Sequence, residues 1–140
     1  MSTGQHPNEE IVYRFIDAQQ RGDAGALMEI LADDIVWHVP GRNLLSRDYI
    51  GKAEVAGFWA RARELSSGTV RTELIDVLGG EAHAVALVRV FAEREGRSLN
   101  GQFQAFTYRI EYGKIASSGS WWRTGTQWMP FGLDGGLWAS

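Results

Sequence analysis

The chain has 140 residues, 44% of them hydrophobic, with a formal net charge of −3 and no cysteine. That length and apolar content fit one domain with its own core. The mild acidity excludes the basic footprint of a nucleic-acid or anionic-membrane binder, and the lack of thiols excludes disulfides, cysteine catalysis and cysteine metal sites.

Residues 1–7 read as a loose arm. The polar stretch Met1–Glu10 is not a signal peptide, and no apolar run approaches the ~20 residues of a membrane span, so a cytoplasmic protein is expected. A helix starts at Pro7 or Asn8, with Glu9 and Glu10 suited to its dipole. Ile11, Phe15 and Ala18 share one face of it, with Val12, Ile16 and Gln19 beside them, a wide apolar stripe at helical spacing. Gly22 ends it, and Asp23 caps a short second helix through Ala26, Leu27, Ile30 and Leu31.

The centre of the chain is Ala32–Trp59. After the end of the second helix, with Asp33 and Asp34 as caps or solvent-facing acids, Ile35–Val39 reads as a buried strand stopped by Pro40. The loop from Gly41 to Gly51 carries Arg42, Asn43, Ser46, Arg47, Asp48 and Tyr49; it is either a pocket rim or a solvated connection. A third helix runs from about Lys52 to Leu65, with Val55, Phe58, Trp59 and Ala62 inward, and Ser66-Ser67-Gly68 breaks it. From Thr69 the period changes to two. Strands are expected at Thr69–Leu78, His83–Arg94 and Ser98–Tyr112, joined by glycine turns. Three helices followed by a meander make an α+β pattern, a curved sheet wrapped over helices with a cavity on its concave face.

The segments F-I-D-A-Q-Q-R-G-D, L-A-D-D-I-V-W-H-V-P-G, D-Y-I-G-K-A-E-V and Y-R-I-E-Y-G-K-I resemble, in order, the SnoaL-like branch of the nuclear transport factor 2-like superfamily, from roughly Asn8 to Ala116. The resemblance implies a cone of mixed β-sheet closed by helices and a homodimer formed through the sheet. It also implies a pocket for a small, largely apolar, polyketide- or terpene-like molecule, transformed by acid–base cyclisation, isomerisation or hydration. Non-catalytic binding and a dimeric interaction module with a vestigial cavity stand beside that reading, because the fold does not decide function. The catalytic pattern of the steroid isomerases does not carry over: Phe15 stands where they place an oxyanion-binding tyrosine, Val39 at their basic aspartate and Phe106 near their second acid. Phe106 also falls near the histidine of the aldol cyclases.

The residues expected around the cavity are Phe15, Trp37, Val39, Phe58, Trp59, Phe106 and Tyr108. For catalysis the candidate by type is His38, with Asp48 and Tyr49 as loop partners. Strand alternation puts His38 on the face opposite Trp37 and Val39, so a structural role stands beside the catalytic one. Val88, Val90 and the C-terminal tryptophans are expected on an outer, dimer-forming face, with Arg89 an edge or dimer-face residue. No metal-ligand spacing or nucleotide motif is present, and no cofactor is expected.

Residues 117–140 differ from the rest, with four of the six tryptophans: Trp121, Trp122, Trp128 and Trp138. Two readings stay open. The segment is a lid over the cavity or the partner subunit, or it is an ancestral acidic end read out of frame. With permitted codons, a shifted frame turns Ser120–Asp134 into L-V-E-D-R-D-P-V-D-A-F-W-A and a stop.

Overall fold

The computed structural model describes residues 6–39, 43–124 and 127–130, with side chains through Gly119. Helix α1 spans Pro7–Arg21. His6 Nδ1 accepts from the Asn8 N–H at 3.1 Å at its start, and Gly22 closes it in the left-handed conformation at φ 68°. Helix α2, Ala24–Ile30, is capped by Asp23, whose Oδ1 accepts from the Ala26 N–H at 3.1 Å. Strand β1 is Leu31–Val39, β2 Arg47–Ile50, and helix α3 Lys52–Leu65. Then come β3 (Arg71–Gly79), β4 (His83–Arg94), β5 (Arg97–Glu111), β6 (Lys114–Thr124) and β7 (Gln127–Pro130).

The result is an α+β cone: one curved mixed sheet in the order β2-β1-β6-β5-β4-β3, with β7 paired to β6, and helices against one face. Only the β1–β6 pair is parallel among the pairings of the described residues. Long meandering strands satisfy each other's backbone groups, and the sheet's apolar face is buried under α1 and α3. Ile35, Trp37, Val39, Ala84, Ala86, Val88 and Tyr108 from the sheet join Val12, Phe15 and Val55 from the helices in the core. No helix among the described residues is long and apolar enough to cross a membrane.

Four expectations need correction. Asp33 and Asp34 face solvent, but from within β1 and not as helix caps, and Asp33 Oδ1 sits 3.3 Å from Lys52 Nζ. The loop after Pro40 contains a strand, β2, which pairs antiparallel with β1 from Val36↔Ile50 to Val39↔Arg47. Of the segment read as a tail, residues 117–124 and 127–130 continue the sheet as parts of β6 and β7. Val88 and Val90 face the helices, 0% and 7% exposed, because Arg89 takes the outer side and fixes the parity. Expectations for Pro40, Gly41, Arg42 and the side chains of the four C-terminal tryptophans lie outside the described residues.

Candidate functional site

Alternation along three strands builds the helix-facing interior. On β1 it turns Ile35, Trp37 and Val39 inward; on β5, Gln104, Phe106 and Tyr108; on β4, Ala84, Ala86 and Val88 opposite them. From α1, Phe15 reaches in and touches three other rings. Its centroid lies 6.0 Å from Trp37, 5.9 Å from Trp59 and 5.8 Å from Tyr108. Trp37 meets Trp59 edge-on at 5.4 Å and Phe58 at 6.1 Å. Six of the seven expected pocket residues thus meet or flank one aromatic interior, and Phe106, partly buried, lies on the same face of β5 between Gln104 and Tyr108. Phe58 and Trp59 are half-buried on α3, which fully buries only Val55 and Ala62.

This interior contains polar atoms that the fold does not pair. Trp59 Nε1, Gln104 Nε2, Tyr108 Oη and Gln19 Oε1 are buried with no hydrogen-bond partner among the described residues. Burial pushes the Tyr108 hydroxyl far above its ordinary pKa, so it is a standing donor. Glu9 is the one ionisable residue among the buried polar side chains of the described residues, and its Oε2 accepts from the Gly79 N–H at 3.0 Å.

The structure separates the three residues read as catalytic. His38 and Asp48 stand opposite each other on β1 and β2, on the sheet's outer face, and His38 Nδ1 is hydrogen-bonded to Asp48 Oδ1. Both side chains are about half exposed. Engagement of Nδ1 leaves Nε2 as the ring nitrogen that can exchange a proton with a third molecule. His38 borders an open groove of ≈ 500 Å³ whose walls include His83, Thr107, Arg109 and Gly119. Tyr49 points the other way. Its hydroxyl donates to the Leu45 carbonyl at 2.7 Å, its ring lies 5.0 Å from Phe58, and burial raises its pKa against the opposing charges of Arg47 and Arg61. Among the described residues no group of three His, Asp or Glu side chains converges as for a metal ion.

Gln104 is the interior residue that sequence reasoning missed. A signal for Gln104 was present: Phe106 and Tyr108 were read as inward, and two-residue alternation carries Gln104 to the same face.

The SnoaL-like domain family model matches residues 12–118. Uncharacterized protein Rv0034 of Mycobacterium tuberculosis is 29% identical over 107 residues, which cover 76% of this chain and 81% of that protein. Among solved structures, a Xanthomonas campestris protein with a cystatin-like fold superposes with a TM-score of 0.82 at 24% identity, covering 94% of this chain and 97% of that one. The M. tuberculosis protein Rv0760c, solved in complex with estradiol-17β-hemisuccinate, superposes with a TM-score of 0.70 at 18% identity over 85% of this chain and 95% of that one.

Proposed function

The chain belongs to the SnoaL-like domain family, and from that premise we propose that its aromatic interior receives a small, largely apolar molecule, polyketide- or terpene-like in character. The observation that carries the reading is the ring shell of Phe15, Trp37, Phe58, Trp59 and Tyr108, closed over unpaired polar atoms. An apolar wall with a few polar groups is the composition of a small-molecule site. The rings touch one another, so entry requires some to part; Phe58 and Trp59, partly buried on a helix that fully buries only Val55 and Ala62, are the least enclosed of them. Binding is the core of the proposal, because interior acid–base chemistry has few ionisable groups to draw on.

Calorimetric titration with biphenyl and with estradiol, the uncharged ring body of the estradiol-17β-hemisuccinate solved with Rv0760c, tests it. Saturable binding with a negative heat-capacity change is expected, together with shifted indole N–H resonances of Trp37 and Trp59. If neither molecule binds saturably, or the two indole resonances stay in place, the proposal fails.

A second reading, acid–base turnover of such a molecule, is favoured by the pairing of His38 with Asp48, which orients an imidazole at the edge of the outer groove. His38→Gln removes the proton-transfer function while keeping size. Once a substrate is identified, a loss of about 10²–10⁴ in rate with unchanged melting temperature supports this reading. Full turnover by the variant would sink it.

A further inference from the structure

Gln104 and Tyr108 are among the most deeply buried side chains of the protein, 1% and 2% exposed, yet Gln104 Nε2 and Tyr108 Oη have no hydrogen-bond partner among the described residues. An unpaired buried donor carries a large desolvation cost. Methionine and phenylalanine would occupy the same volumes without that cost, so nothing in the packing of the chain calls for these polar ends.

Their placement is ordered. Gln104, Phe106 and Tyr108 follow one another on the inner face of β5, opposite Val88, Ala86 and Ala84 in unbroken register. The two donors are therefore rooted about 13 Å apart along the strand, at ~3.3 Å per residue, with an aromatic ring between them. The alanines opposite Phe106 and Tyr108 keep the facing strand low. Glu9, the one buried carboxylate among the described residues, accepts from the Gly79 N–H, and no buried Lys, Arg or His stands among them, so the interior offers no counter-charge to an ionised ligand.

We infer that Gln104 and Tyr108 are the two polar anchors of the interior, and that they select an uncharged, elongated ligand with an apolar ring body and a hydrogen-bond-accepting oxygen at each end. This inference rests on the reading of the interior as a binding site and adds the ligand's polarity pattern. The Trp59 indole N–H is a third unpaired donor on the same interior, available to an oxygen along the ligand body.

Three probes of equal body test it on the full chain: biphenyl, biphenyl with a para-hydroxyl on one ring, and biphenyl with a para-hydroxyl on each ring. Affinities are measured by calorimetry for the wild type, Tyr108→Phe and Gln104→Met, with melting temperatures alongside. The wild type is expected to prefer the doubly hydroxylated probe to biphenyl by roughly tenfold or more, the worth of buried hydrogen bonds. Each variant is expected to lose a large part of that preference, to bind biphenyl within about twofold of the wild type, and to melt no lower. If both variants keep the full preference, the polar ends are met by water only and the inference is overturned while the binding site stands. A loss of affinity for all three probes together with a lowered melting temperature assigns both residues to the fold alone and also overturns it. If the wild type binds none of the probes, the interior site itself fails, and the anchors fail with it.

Discussion

The rings of Phe15 and Tyr108 meet edge to face, with centroids 5.8 Å apart and planes at 67°. One side chain comes from the first helix and the other from the fifth strand. Phe15 is 0% exposed and also contacts Trp37 and Trp59, so it joins α1, β1, α3 and β5 at one point. Phe15→Ala is expected to lower the free energy of unfolding by about 3–5 kcal/mol, because it removes buried apolar surface and leaves a cavity among rings that cannot collapse fully. Urea denaturation measures this. A loss under about 1 kcal/mol would show that the interior does not depend on this contact.

Tyr108 gives a pH dependence with a definite sign. Its folded pKa is raised above the ordinary 10.0 by burial, so the neutral hydroxyl is favoured in the folded state. The corresponding stability is fully present below pH 10 and is lost as pH rises past it. Wild-type unfolding free energy is expected to fall above pH 10 with a slope approaching 1.4 kcal/mol per pH unit for this one group, and Tyr108→Phe to show a shallower slope. Coincident slopes would assign the alkaline loss elsewhere.

Gly79 holds the end of β3 against the first turn of α1. Its N–H donates to Glu9 Oε2 at 3.0 Å, and a Cβ there would stand 2.5 Å from Glu9 Cγ and 3.2 Å from the Glu9 backbone nitrogen. The side-chain carbon can swing aside, but only by giving up the hydrogen bond, and the helix backbone cannot move alone. Gly79→Ala is expected to cost about 1–3 kcal/mol, and adding Glu9→Ala to recover part of it. Thermal unfolding of the single and double variants checks the coupling; strictly additive losses would contradict it.

The outer face of the sheet carries half-buried Val36, Val85 and Leu87 beside His38 and Arg109. Apolar sheet surface of this kind calls for cover, and a second copy of the chain supplies it most simply. Light scattering at micromolar concentration is expected to give a dimer mass, and Val85→Lys a monomer with an unchanged far-ultraviolet spectrum. A monomeric wild type contradicts the expectation.

Local chemistry was enough to read much of this protein. Capping residues and the 3.6-residue stripe located α1 and α3, with Gly22 and Ser66 at their ends. The period of two located β4 at His83–Arg94, and the same alternation turned His38 away from Trp37 and Val39. These features depend on neighbours a few residues apart, whose spacing is written in the chain.

What the sequence left open depends on partners far apart in it. Strand β2 is four residues long, too short to show a period, and exists because the edge of β1 pairs with it. That β1 lies parallel to β6, joining Leu31 to Ile115 and Trp37 to Ser118, follows from closing the cone. The run around Val88 is apolar on both faces, so the inner side is decided by where α1 and α3 pack, with Arg89 as the one local clue. Asp48 became the partner of His38, and Tyr49 the neighbour of Phe58, only when β2 folded back along β1. Gln104 reads in isolation as an exposed strand residue. The tertiary structure buries it, because the register with Val88 puts it on the inner face of the sheet, and burial turns an ordinary amide into an unpaired donor.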